Sequence, residues 1–572
     1  MIFKNTVVVA PESATIIEVV REMAESKAYV KGLAIVVDEF STVKGVFNDG
    51  DLIRLLGQGK SMEMRITEVM TVDPILVNED LSSRQIIDLV QQKLAERNIN
   101  TNSLRDVIVV NEKGQLVNVL NFVDLLTSSR DAKKSIAVYG QGFVGITLAA
   151  ALANLGHKVY GVDLQESLIS RLKNNDIHVF EPRLNDIVAT SQKAGRLTFT
   201  TGLEDESVNY YIVAVGTPVD DIGNANLQAL EAVASSIGKR LKRGDVVMLR
   251  STVPVGTTRN VVCIILEKDS GMKAGVDFHL AFAPERTAEG KAMEELRSLP
   301  QIVGGLSPLC ARKSVELWSS LTDSVVQVES LEAAELVKLI NNSFRDLSFA
   351  FSNSVALLCD RYNINSFKLI GAANEGYPRN RIPLPSPGVG GYCLTKDPFL
   401  FAAVDRKSGH ARLAVTGRGV NTEAQDYPLL QVERYIKRIG KSLKDTKILV
   451  VGLAFKGWPE TNDLRGSSSV HVANALLEKG ARVFGYDNVV AHKDWVTILP
   501  NVAEGELERD LVDSDVILMM NNHPKNVPVN FLSLISKGQP KLVFDGWALL
   551  DSNAINGLAD VDYSTMGYLS NK

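Results

Sequence analysis

Cysteine is scarce in this sequence: Cys263, Cys310, Cys359 and Cys393 are the four thiols in 572 residues. Four cannot build a disulfide framework for a chain of this length, and their spacing is not that of a zinc site. A reduced setting is expected, one that suits a reactive thiol, and no metal is expected. An excess of basic charge is missing as well. Lys and Arg number 62 against 67 Asp and Glu, a net charge of −5, which leaves no electrostatic footprint for nucleic acid. No uninterrupted apolar run is long enough to span a bilayer, and no charged-then-apolar leader follows Met1. The expectation is a cytoplasmic protein with neither nucleic acid nor membrane as partner. With 45% hydrophobic and 23% charged residues the composition is that of ordinary globular domains. The length implies roughly three to four of them.

One thiol has an unusual setting. Pro387-Gly388-Val389-Gly390-Gly391-Tyr392-Cys393-Leu394-Thr395-Lys396-Asp397 places Cys393 just after a glycine-rich turn, with a cation and a carboxylate three and four residues on. If a helix begins at Asp397, Cys393 lies one turn back and all three groups can face one cavity. The glycines remove bulk and allow positive φ, so the backbone can approach a substrate closely. A lysine or a helix N-terminus favours the thiolate, and Asp397 is placed to act as a base on the thiol or a water. The plainer alternative for these residues alone is a small buried cysteine in a loop.

The first 130 residues read as two similar halves, each with a β-rich phrase, an amphipathic helix, an apolar strand and a short closing helix. A strand at 32–37 leads to Gly45-Val46-Phe47-Asn48-Asp49-Gly50-Asp51, and one at 106–110 leads to Asn118-Val119-Leu120-Asn121-Phe122-Val123-Asp124. Residues 127–134 are polar and aperiodic, a linker by composition. Beyond them a strand at 135–139 runs into Gly140-Gln141-Gly142-Phe143-Val144-Gly145, then a helix to Leu155, then a strand at 158–162 ending at Asp163. Strand, glycine turn, helix, strand and acid in this order form a dinucleotide-binding unit: the glycines admit a pyrophosphate at the helix N-terminus and the acid meets the ribose.

Later strands end at Gly216-Thr217-Pro218, at Ser251-Thr252-Val253-Pro254 and at Pro284-Glu285-Arg286-Thr287-Ala288-Glu289-Gly290. Ligands of a doubly wound sheet sit at such carboxyl ends, though helix capping would account for Ser251 or Thr252 alone. Residues 331–362 form one long helix without Pro or Gly. Lys338, Asn342 and Arg345 share one of its faces, which could equally be a solvated stripe. A loop with Tyr377 and Arg379 returns the chain to Cys393. A second α/β unit begins after Leu443 with only one fingerprint glycine, so it should bind something other than a dinucleotide. Lys456 and Arg465 are its candidates for gripping phosphates.

Together these pieces resemble the UDP-glucose/GDP-mannose dehydrogenase family from residue 135 onward, and the first 130 residues resemble a tandem pair of cystathionine-β-synthase (CBS) domains. The resemblance implies an α/β chain: two Rossmann-like doubly wound domains joined by a long central helix, plus the CBS pair. Boundaries fall at 1–130, 133–325, 326–440 and 441–572. Members oxidise the C6 alcohol of a nucleotide sugar to a carboxylate with two NAD in turn. Carried over by motif, Cys393 is the nucleophile and Lys338 and Asn342 hold the oxyanion. Asp397 activates water with Thr252 and Glu289 in support. NAD falls to Gly140, Gly142, Phe143, Val144, Gly145, Asp163, Thr217, Pro218, Thr252, Lys396 and Lys456. The UDP-sugar falls to Glu285, Arg286, Lys338, Asn342, Arg345, Tyr377, Arg379, Gly390 and Arg465.

Residues 284–286 and 376–380 look more like the N-acetylhexosamine branch, so UDP-N-acetyl-D-mannosamine comes first, then UDP-N-acetylglucosamine, then UDP-glucose. Thr395 stands where glucose-type members carry proline. The CBS resemblance implies an adenine nucleotide at Asp51 and Asp124, with Asn48 and Asn121 where the family has Ser or Thr. A homodimer or higher homo-oligomer is expected through the long helix. The rival readings are a two-electron dehydrogenase, which has no use for Cys393, and a catalytically silent nucleotide sensor. Asp163 also sets the cofactor. Its charge repels the 2′-phosphate of NADP, so kcat/KM should favour NAD by roughly tenfold or more; equal values for the two cofactors would remove that role.

Overall fold

The computed structural model describes residues 7–26, 32–81, 83–97, 106–122, 134–204, 206–220, 223–404, 409–538 and 540–570. The chain divides into two compact units, Met1–Lys133 and Lys134–Lys572.

The first unit is a repeat. Val8–Pro11 pairs parallel with Leu33–Val37, which pairs antiparallel with Val43–Asn48; Leu76–Asn78, Asp106–Val110 and Leu116–Asn121 repeat the pattern. The register shifts at Val36/Val37 in one half and at Val109/Val110 in the other. Strands such as Leu-Ala-Ile-Val-Val read as continuous apolar runs because both faces are covered. Ala34 and Val36 join the core under the helix Ile16–Glu25, while Ile35 and Val37 meet Ile108, Val110 and Leu116 of the other half. The expected linker and Asp124 lie outside the described residues.

In the second unit an eight-stranded sheet runs, edge to edge, Val325–Val328, Gln301–Gly305, His279–Phe282, Val246–Leu249, Tyr210–Val213, Ser135–Tyr139, Lys158–Val162 and Leu197–Thr200. All pairings are parallel except that of His279–Phe282 with Gln301–Gly305. The edge strands Leu197–Thr200 and Val325–Val328 were not expected. Both are short and partly exposed, so their apolar signal is weak. The helix Phe143–Asn154 is apolar all round because residues 145–153 are all buried.

The helix Leu331–Asp360, capped by Ser330, spans roughly 45 Å at the usual rise per residue. It packs on Tyr392–Ala403 and Arg412–Glu423, so one rod positions groups from residue 335 to residue 360. The last sheet runs Ala503–Glu504, Arg482–Tyr486, Lys447–Val451, Val516–Met519, Lys541–Asp545, Val561–Thr565 and Tyr568–Leu569. No helix among the described residues is long and apolar enough to cross a membrane.

Candidate active site

The helix that carries the thiol begins at Tyr392, not at Asp397 as expected. Cys393 therefore sits in its first turn, at the positive end of the helix dipole. The start is forced by packing. Gly391 has φ +90°, and a Cβ there would stand 2.8 Å from the Phe455 ring; at Gly390 it would stand 2.5 Å from the Gly466 carbonyl oxygen. The turn before Cys393 is thus pressed backbone-first against the C-terminal domain. Pro398 lies inside the helix and has no N–H for the carbonyl of Leu394, one turn back. The buried guanidinium of Arg418 supplies the missing donor, with Nη1 3.3 Å from the Leu394 oxygen and Nη2 3.1 Å from that of Val389.

Cys393 is the one exposed thiol among the four; the other three are buried. Protein crowding pushes its pKa up, Lys338 and Lys396 pull it down, and Asp397 and Glu289 add to the rise. The balance holds the thiol above its usual range, and Lys338 is the main group working toward the thiolate.

The central helix aligns Lys338, Asn342 and Asp346 four residues apart, one above another. Asn342 Nδ2 donates to Asp397 Oδ2 at 2.5 Å, and Lys396 Nζ donates to Asp397 Oδ1 at 2.7 Å. Asp397 is fully buried, so both its oxygens are engaged away from water. Asp346 pairs with Arg418 Nη1 at 2.8 Å and accepts from Asn421 Nδ2; burial pushes it up to about 6 against the pull of that pair. One turn before Lys338, the buried Glu335 accepts from the Gly256 and Thr258 amides at 2.5 and 2.8 Å, tying the Thr252 loop to the same rod. Arg345 stays exposed over the Phe349 ring.

The three strand-end segments behave differently from one another. Glu285 is buried against Arg250, with Nη2 at 2.5 Å and Nε at 2.9 Å from Oε2, while Oε1 accepts from the amides of Arg286 and Thr287. Burial pushes it up, but Arg250, the Thr287 amide and Lys338 outweigh that and hold it below the usual range. Glu285 is therefore the counter-ion of a buried arginine, and no oxygen is left over for the sugar expected there. Arg286 is also turned inward, donating to the Pro300 carbonyl.

Glu289 is half-buried and held from the other domain. Thr461 Oγ1 donates to Oε2 at 2.7 Å, Arg465 Nη2 is 4.0 Å from Oε1, and Lys456 Nζ donates to its backbone oxygen at 2.7 Å. Burial and the charge of Asp463 push its carboxyl up, and burial pushes Lys456 down. Thr217 donates to the Thr252 carbonyl, and a Cβ on Gly216 would stand 3.8 Å from the Tyr392 hydroxyl, beside the exposed Pro218.

The glycine turn fits a dinucleotide. A Cβ on Gly145 would overlap the Gly140 oxygen at 1.7 Å, so helix and strand touch only without side chains; one on Gly142 would meet nothing, leaving that backbone open to a phosphate. Asp163 accepts from the Gln141 amide at 2.8 Å and the Gln165 amide at 3.0 Å, leaving a lone pair on each oxygen for ribose hydroxyls. Phe143 and Val144 are half-buried at the open end of the helix. The matching acid of the last domain, Asp487, accepts four amides, from Leu453, Ala454, Val489 and Val490. It has no such capacity left.

Tyr377 and Arg379 are not brought to the thiol. Both are exposed, and Arg379 lies over the Tyr377 ring. In the first unit Asp51 is buried, with Oδ2 on the Asn48 amide and Oδ1 on Arg54. Sequence reasoning missed Arg250, Glu335, Asp346, Arg418 and Thr461. Only Glu335 and Asp346 carried a signal, standing three residues before Lys338 and four after Asn342 on the same helix.

Residues 134–322, 332–423 and 449–552 match the NAD binding, central and UDP binding domains of the UDP-glucose/GDP-mannose dehydrogenase family, and residues 2–58 match a CBS domain. The chain is 31% identical over 402 residues to the NDP-N-acetyl-D-galactosaminuronic acid dehydrogenase of Ralstonia solanacearum, covering 68% of this chain and 91% of that one. It is 30% identical over 413 residues to the UDP-N-acetyl-D-mannosamine dehydrogenase of Pyrococcus horikoshii, covering 72% and 94%. The solved structure of the UDP-D-ManNAc dehydrogenase from Pyrococcus horikoshii gives a TM-score of 0.68 at 29% identity, covering 76% of this chain and 99% of that one.

The Arg250–Glu285 pair can be tested without any substrate. Arg250→Met should strip a buried carboxylate of its partner and cost about 3–5 kcal/mol, read as an earlier unfolding transition. Arg250→Met with Glu285→Gln should recover much of the loss. A single variant as stable as the parent would show that the pair is not what keeps Glu285 ionised.

Proposed function

The chain belongs to the UDP-glucose/GDP-mannose dehydrogenase family of NAD-dependent nucleotide-sugar dehydrogenases, and we propose that it oxidises the C6 alcohol of UDP-N-acetyl-D-mannosamine to the carboxylate. The observation that carries the chemistry is the meeting of an accessible thiol with Lys338 and the Asn342–Asp397 pair at one helix N-terminus. Gly140–Gly145 and Asp163 would hold NAD, which would supply the hydride acceptor for each of two rounds. Overall, one alcohol, one water and two NAD give one carboxylate, two NADH and three protons.

Between the rounds the Cys393 thiolate adds to the C6 aldehyde. A carbon–sulfur bond forms, and the carbonyl pair moves onto oxygen. Lys338 and the second amide hydrogen of Asn342 receive that oxyanion; the first hydrogen is spent on Asp397. Loss of hydride leaves a thioester, and water attack releases the carboxylate and frees the thiol. The water-activating role expected of Asp397 passes to Glu289. Asp397 is sealed from water with both oxygens held, whereas Glu289 keeps solvent access and a raised carboxyl, the property of a base working near neutral pH. Asp397 then orients Asn342.

The mannosamine branch is supported by the names of the relatives and by residues 284–286 and 376–380. UDP-N-acetylglucosamine and UDP-glucose follow it. A panel of UDP- and GDP-sugars, assayed for NADH and uronate, tests reaction and substrate together. Two NADH per sugar are expected, and Cys393→Ser should abolish uronate while NAD still binds. One NADH with free aldehyde would favour a two-electron dehydrogenase, and no turnover on any sugar a silent sensor.

A second copy of the chain completes the assembly. The central helix exposes Ile340, Phe344, Phe351 and Leu358, three of them seven residues apart, the spacing of a self-pairing helix seam. Phe351→Arg should convert a dimer to a monomer in sedimentation. Unchanged mass would move the contact elsewhere. An adenine nucleotide is the ligand class for the CBS module, and its ribose would have to win Asp51 from Arg54 and the Asn48 amide.

A further inference from the structure

We infer that Arg418 is a positioning residue that keeps the Cys393 thiol in register with Lys338 and Asn342. This rests on the reading of Cys393 as nucleophile. Arg418 lies on the helix Arg412–Glu423, and its side chain is buried. Its hydrogen bonds run to Asp346 and to the backbone of Val389 and Leu394. Its guanidinium donates to the carbonyls of Val389 and Leu394, which bracket residues 390–393 from either side. Both ends of the nucleophile turn are thus fixed to one rigid fork.

Two features make the contact specific. The Leu394 carbonyl is the one that Pro398 leaves without its helical donor, so losing Arg418 would strand a half-buried acceptor one residue from the thiol. The charge of Arg418 is met by Asp346 Oδ1 at 2.8 Å, and Asp346 stands four residues after Asn342 and eight after Lys338 on the same helix stripe. The rod that sets the oxyanion groups therefore also sets the clamp on the thiol. Asn421 Nδ2 holds the Asp346 side chain at 2.8 Å and its backbone oxygen at 2.9 Å, and itself accepts from Asn353. A lysine has one point charge in place of the planar fork and can reach only part of this set.

The full-length protein is compared with Arg418→Lys, Arg418→Met and Asp346→Asn. Displacing the turn should lower kcat for uronate by about 10- to 100-fold, since a 1 Å misplacement costs on that order. KM for the sugar should change less than kcat, because Gly390 is the one residue assigned to the sugar that lies in the displaced turn. NADH per sugar should fall from two toward one, with aldehyde caught by a hydroxylamine trap. Cys393 is the one exposed thiol, so iodoacetamide labelling reads it alone; its rate near neutral pH should drop about three- to tenfold as the thiol leaves Lys338 and the helix end. Arg418→Lys should lie between parent and Arg418→Met.

If Arg418→Met does not fold, the two milder variants carry the test. Parent-like labelling and two NADH per sugar in a folded variant would overturn the inference. A parent that forms no uronate sinks the functional reading alone, because the labelling rate still decides the part played by Arg418.

Discussion

The site depends on a contact between the bare backbone of Gly390–Gly391 and the C-terminal domain. Residues 390–391 lie against Phe455 and Gly466 so closely that neither glycine has room for a Cβ. The C-terminal domain therefore supplies a wall of the nucleophile turn, as well as gripping a nucleotide. The same segment reaches across to the first sheet: Asn462 pairs with the backbone of His178 and Phe180, and Glu460 lies over Gly290. Thiol, oxyanion groups and carboxylates come from separate stretches of chain, and this contact brings them to one place.

Buried charge is arranged around that junction in pairs. Arg250 meets Glu285, Arg418 meets Asp346 and Lys396 meets Asp397, all at side chains with almost no exposure. Such pairs add little net stability, because desolvation consumes most of the attraction, but removing one partner is costly. Their effect is to forbid alternatives: each anchors one loop of the site to one geometry. Glu335 does the same with backbone amides in place of a cation.

Environment also divides the labour among the carboxylates. Glu285 is committed to Arg250, Asp397 to Lys396 and Asn342, and Asp487 to four amides of its own turn. Glu289 alone of these combines solvent access with a raised carboxyl, and its hydrogen-bond donor Thr461 comes from the other domain. Its surroundings are therefore set in part by the same segment, residues 455–466, that lies against the thiol turn.

The sequence by itself was enough for whatever depends on neighbours along the chain. The glycine turn at 140–145, the acid Asp163, the alternating strands and helices, and the repeat in the first 130 residues follow from local backbone geometry and periodicity. The setting of Cys393, a thiol after paired glycines, is likewise visible without any distant partner. Tertiary structure decided the rest. Asp397 and Glu289 look equally able to activate water until burial separates them. Arg418 and Arg250 carry no local signal, because the groups they hold lie 24 or more residues away. Nor does the sequence show that Tyr377 and Arg379 face solvent, since exposure is set by how distant segments pack. A side chain's chemistry is set by the charges, donors and water around it, and in this chain those come from three different domains.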